Sequence, residues 1–156
     1  MIKHYEGKLG KFEYDDEEFE FCTLPKIHLH YIGSETDGSK IKIPNGITNC
    51  EGMFYECNNL ETAPIIPDGV KYCAYMFMNC RRLKVASSIP NTVKDCFDMF
   101  ANCVNLIIPP PTIPINVVDC CYMFYNCKNL KKAPEVITKK AKYCSSIFLG
   151  CKNIEL

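Results

Sequence analysis

Ten of the twelve cysteines in this chain recur on a fixed period. Cys50, Cys73, Cys96, Cys120 and Cys144 lie 23, 23, 24 and 24 residues apart. Cys57, Cys80, Cys103, Cys127 and Cys151 repeat the same steps. Between the two cysteines of each pair sits Met53-Phe54, Met76-Phe77, Met99-Phe100, Met123-Phe124 or Ile147-Phe148, and three residues after the second comes Leu60, Leu83, Leu106, Leu130 or Ile154. A period of this length marks stacked supersecondary units, none of which can bury its apolar face alone. The chain is therefore expected to be a solenoid, an architecture suited to offering an extended surface to another macromolecule.

Counted from Cys73, the apolar residues Cys73, Met76, Phe77 and Cys80 fall at offsets 0, 3, 4 and 7. That spacing is one stripe of a two-turn helix. It predicts short helices over residues 51–56, 74–79, 97–102, 121–126 and 145–150, with both cysteines turned inward. A free cysteine behaves as a small hydrophobe, so stacked repeats would line the thiols into two buried ladders. Cysteines seven apart on one helix are about 10 Å apart and cannot bridge; disulfides between adjacent repeats remain geometrically open. No CxxC occurs, and His28 and His30 alternate on what reads as a strand, so neither a metal site nor a cofactor is expected.

Residues 1–43 read as a β-rich N-terminal cap. Phe12 and Tyr14, then Phe19 and Phe21 after an acidic turn, predict a hairpin within residues 11–21. Residues 27–32 predict a further strand, with a turn over 33–38. The repeat array spans residues 44–156, because Pro44 and Ile47 precede Pro67 and Val70 by 23 residues. Asn59, Asn105, Asn129 and Asn153 stand where the chain would leave each helix, and are expected to satisfy backbone groups there and to tolerate left-handed geometry. The stretch that follows is too rich in proline for a central antiparallel strand. Charge is uneven: residues 1–48 hold six lysines against nine acids, and residues 49–156 hold twelve basic residues against nine acids. The N-terminus lacks the pattern of a secretory signal and no apolar run is long enough to span a membrane, so a cytoplasmic location is expected.

These repeats resemble the BspA-type bacterial leucine-rich repeats, whose units follow a pattern like MF-x-x-C-x-x-L-x-x-x-P-x-x-P-x-x-V. The likeness covers residues 44–156 and recurs five times. It implies an α+β leucine-rich-repeat solenoid of about five 23–24-residue units, with an N-terminal β-hairpin cap and a parallel ladder on one face. The resemblance further implies protein binding. Many members are bacterial surface proteins that bind host matrix, whereas small repeat proteins of this look also occur on phages and mobile elements, where inhibition of a host defence enzyme is a plausible role.

A repeat protein binds through the positions that vary while the period holds. Ile107 and Ile108 put apolar side chains where other repeats carry Lys84, Lys131 and Lys132, and three prolines follow them. They are candidate anchors with the lysines as rim charges, although one isoleucine could instead turn inward. Tyr122 and Tyr125 are candidates on the outer edge of the turns. The lysine-rich C-terminal end gives no more than a weak case for nucleic acid. An uncovered final repeat makes a homodimer through it an expectation. Histidines confined to the first thirty residues, with no nucleophile motif or phosphate loop, argue against an enzyme. The expected function is protein binding by a small inhibitor or adaptor, with surface adhesion or self-assembly as the alternatives.

Overall fold

The computed structural model describes residues 1–23, 29–136, 138–144 and 146–155. His28 lies outside the described residues, as do the start of the strand expected over 27–32 and the Ser145 end of the last expected helix.

The expected α+β class is overturned. No α-helix occurs among the described residues, and the single helical piece is a three-residue 3-10 turn, Gly38–Lys40. The segments expected to be helices are chains of tight turns. In the first, the amides of Met53, Tyr55 and Cys57 donate to the carbonyls of Cys50, Gly52 and Phe54, each three residues back. The alternate amides of Gly52, Phe54 and Glu56 donate across to the Ala74, Met76 and Met78 carbonyls of the next repeat. The same alternation recurs in the later repeats.

Two backbone positions per repeat enforce it. Gly52, Tyr75, Asp98, Tyr122 and Ser146 have φ of 61°, 59°, 52°, 55° and 58°. Glu56, Asn79, Asn102, Asn126 and Gly150 have φ of 58°, 63°, 61°, 60° and 83°. A left-handed residue at every fourth position is incompatible with a right-handed helix. The physical reason for the choice is hydrogen bonding. A two-turn helix leaves four amides and four carbonyls unpaired at its ends, which is nearly the whole segment, whereas the alternating turns pair amides both locally and between repeats. The inward stripe survives this change of backbone: Met53, Phe54, Met76, Phe77, Met99 and Phe100 are all fully buried.

Successive repeats are joined by parallel pairings one residue long. One row runs Asn49, Tyr72, Asp95, Asp119, Tyr143 and a second runs Asp37, Thr62, Val85, Ile108. Between the third and fourth repeats the second row gives way to strands β5 (Thr112–Ile113) and β6 (Glu135–Val136), paired in parallel. Inside the stack the rings of Phe54, Phe77, Phe100, Phe124 and Phe148 follow one another at 5.4, 5.3, 5.5 and 5.7 Å. Their planes are inclined by only 8°, 8°, 2° and 11°. Each such pair contributes roughly 0.5–1.5 kcal/mol beyond the area it buries.

The cap also differs from the expected hairpin. Strand β1 (Ile2–Gly7) pairs antiparallel with β2 (Gly10–Asp15), so Phe12 faces Tyr5 rather than residues 19–21. A two-residue connection closes this pair and lets the Tyr5 and Phe12 rings stack at 4.9 Å, which the longer acidic segment could not match. Strands β3 (Phe21–Thr23) and β4 (Leu29–Tyr31) form a second antiparallel pair. Tyr31 donates its amide to Met53 O at 2.8 Å, the bond that Phe54 makes to Met76 one repeat later. Its ring lies 5.3 Å from Phe54, so the cap closes the phenylalanine stack. Gly46 (φ 94°) joins cap to stack, accepting the Lys11 amide at 3.1 Å; a Cβ there would run into the Lys11 carbonyl.

Candidate functional site

Two outward surfaces carry the residues singled out above, one on each row of pairings. On the second row, Ile107 and Ile108 are both outward, 51% and 54% exposed, so neither joins the core. Their amides share the Lys84 carbonyl, at 2.9 and 3.0 Å. Lys84 stands beside them on the preceding repeat, where its Nζ lies 3.9 Å from Glu61 Oε1 and Arg82 approaches the same oxygen at 2.8 Å. The isoleucine pair thus has an ionic edge on one side.

Lys131 and Lys132 are exposed but are not drawn into register with the isoleucines. In the earlier repeats Ala63 and Ala86 donate their amides to Val85 O and Ile108 O. The equivalent residue after Ile108 is Pro109, which has no amide to give. The row breaks there among the described residues and resumes where Glu135 donates to Pro111 O at 3.0 Å. Lys132 pairs instead with Glu155. The row of pairings is therefore interrupted at the prolines, between the apolar pair and the lysine end.

Tyr122 and Tyr125 lie on the other surface. Their rings meet edge to face at 5.9 Å, and the contact continues through Phe97 at 6.2 Å from Tyr122 and Tyr75 at 5.3 Å from Phe97. Beside this line runs the first row of pairings, in which Asp95 and Asp119 are neighbours between Tyr72 and Tyr143. Asp95 Oδ1 accepts the Phe97 amide at 2.9 Å and Asp119 Oδ1 accepts that of Cys121 at 2.9 Å. Burial, then the nearby Asp119 charge, raises the Asp95 carboxyl above its ordinary range despite the Phe97 amide. Asp98 is raised by the same two causes in the same order. The three aspartates are inconspicuous in the sequence because Asp95 and Asp119 stand 24 residues apart and only the stacking pairs them. The signal was their constant offset from the ladder cysteines, one residue before and two after.

Within the stack the thiols have a role beyond filling space. Cys80, Cys103, Cys127 and Cys151 donate Sγ–H to the carbonyls of Phe54, Phe77, Phe100 and Phe124 at 2.9, 3.1, 3.1 and 2.9 Å. Each thiol therefore ties its repeat to the one before. Among the described residues no three His, Cys, Asp or Glu side chains converge as a metal site requires, and none of the helical segments is long and apolar enough to cross a membrane. A cavity of about 1130 Å³ opens on the cap beside Tyr5, Tyr14 and Phe19. Its carboxylates are mixed with Lys11, Lys40 and Lys42, and on its lining the exposed His4 Nδ1 lies 3.2 Å from Glu13 Oε1. No protein-family model, curated protein or solved structure matches this chain.

Proposed function

We propose that the chain is a protein-binding module that acts without catalysis, docking Ile107 and Ile108 onto a partner and covering a functional site there. The observation that supports this reading is the exposure of both isoleucines on a backbone row held by hydrogen bonds to Lys84. Two adjacent aliphatic side chains on a preformed surface lose little freedom on binding, which favours affinity, and a desolvated apolar centre with a charged edge is the usual anatomy of a binding hot spot. Lys84 supplies that edge, with Glu61 and Arg82 beside it. Lys131 and Lys132 serve a partner large enough to reach past the prolines. The role is that of an inhibitor or adaptor.

The test is affinity capture with the wild-type chain and with the double variant Ile107→Asp/Ile108→Asp, each checked for an unchanged melting temperature. A stoichiometric partner recovered by the wild type and lost by the variant is the expected result. Equal recovery by both would remove the isoleucines from the interface.

A further inference from the structure

The tyrosine-and-aspartate surface is built against the local preferences of the chain at two kinds of position. In the row Asn49, Tyr72, Asp95, Asp119, Tyr143, the polar side chain is useful because it accepts the amide two residues on. Asn49 does this for Glu51 at 2.9 Å, the same distance as Asp95 and Asp119 achieve. A neutral amide therefore closes the turn as well as a carboxylate, and the two negative charges are surplus to the fold. They also sit on adjacent paired positions, where like charges repel. Among the described residues no ion pair relieves Asp95, Asp98 or Asp119, although Lys94 precedes Asp95 directly.

The second kind of position is the left-handed residue two after the cysteine. Gly52 fills it in the first repeat at no steric cost, but Tyr75 and Tyr122 fill it later, at φ 59° and 55°. Bulky side chains rarely occupy that region. Holding them there places two aromatic rings outward, 40% and 38% exposed, in one edge-to-face line with Phe97. Asp95 Oδ1 holds the amide of Phe97 at 2.9 Å and Asp98 follows Phe97 directly, while the Phe97 ring lies between those of Tyr75 and Tyr122, so rings and carboxylates share one surface.

From this complementarity we infer that the surface formed by Tyr75, Phe97, Tyr122, Asp95, Asp98 and Asp119 binds an arginine- or lysine-rich segment of a partner protein. Cationic side chains would lie over the exposed ring faces and supply the counter-charge that the aspartates lack. This surface is separate from the isoleucine pair and does not depend on it.

The probe is a fluorescein-labelled nona-arginine peptide, titrated with the full chain at low salt and read by fluorescence anisotropy, with labelled nona-glutamate for comparison. Saturable binding of nona-arginine and none of nona-glutamate is expected. Asp95→Asn/Asp119→Asn keeps the turn acceptors, as Asn49 shows, and should weaken binding at least about tenfold. Tyr75→Gly/Tyr122→Gly should weaken it comparably while leaving the melting temperature unchanged or higher. Glu17→Gln/Glu18→Gln removes the same charge from the cap and should leave affinity intact. The proposal is overturned if nona-arginine fails to bind, or if nona-glutamate binds equally. It is also overturned if the cap variant weakens binding as much as the aspartate variant, or if the tyrosine and aspartate variants bind like wild type.

Discussion

Four of the eight buried cysteines, Cys80, Cys103, Cys127 and Cys151, each reach a carbonyl of the preceding repeat through a small, weakly donating thiol. Burial pushes the Cys50 and Cys120 thiols up to about 12 and that of Cys57 up to about 11. Cys73, Cys80 and Cys96 are raised further, first by burial and then by neighbouring ionisable groups. Reactivity resides in the thiolate, so these groups are inert near neutral pH. Only Cys144 is exposed, and Cys22, Cys57 and Cys121 are partly accessible. A native-state titration with an aromatic disulfide reagent should therefore label Cys144 first, Cys22 and Cys121 more slowly, Cys57 more slowly again because burial raises its thiol, and the eight buried cysteines only after denaturation. Rapid labelling of Cys80 or Cys103, located by peptide mapping, would contradict their place in the stack.

The turn segment owes its shape to its left-handed positions, and the asparagines there do two jobs. Asn102 adopts φ 61°, donates Nδ2–H to Asn79 Oδ1 at 2.8 Å and accepts from Asn126 Nδ2 at 3.0 Å. Replacement by alanine removes both bonds and keeps a Cβ in the left-handed region, with an expected loss of about 2–3 kcal/mol. Replacement by glycine removes the bonds but relieves the backbone, so Asn102→Gly should lose only about 1–2 kcal/mol. Urea denaturation of both variants checks the order; alanine proving the milder change would mean that the segment does not rely on left-handed geometry. The same reasoning explains why the asparagines at 59, 105, 129 and 153 were the wrong ones to assign to that geometry. None of them has positive φ. Asn105 and Asn153 instead reach back to the Arg81 and Lys128 carbonyls at 2.7 and 2.8 Å.

Across the whole stack, stability couples to pH through the half-buried aspartates. The Asp95 and Asp98 carboxyls are raised above the ordinary 3.8, so the folded chain holds their protons more tightly than the unfolded one. The sign follows: these groups favour folding when protonated, and stability falls as pH rises from the ordinary carboxyl value through the raised one. Asp95→Asn removes the charge but keeps the acceptor for the Phe97 amide. Its melting temperature should exceed that of the wild type at about pH 7 and match it at about pH 3, where both carboxyls are protonated. An equal gain at both pH values would assign the effect to packing instead of charge.

Most of the residues that point inward were legible from spacing alone, because Cys, Met-Phe, Cys and Leu recur at constant offsets every 23 or 24 residues; the two buried thiol ladders were expected to be complete, but Cys144 is exposed and Cys57 half-buried. The backbone that carries them was not legible in this way. Offsets of 0, 3, 4 and 7 suit a helix and a succession of tight turns equally, and the choice lay in where the amides of each segment find partners. Those partners are carbonyls of the next repeat, 22 residues away for Phe54 and Met76, which no local pattern reveals. The same holds for the surfaces. Ile107 and Ile108 could be picked out as apolar residues in a polar row, but only the structure shows both outward, and the break in their row before Lys131 and Lys132 follows from the amide that Pro109 lacks. Asp95, Asp98 and Asp119 became one surface only when stacking set consecutive repeats side by side, with Tyr75 and Tyr122 held outward beside them.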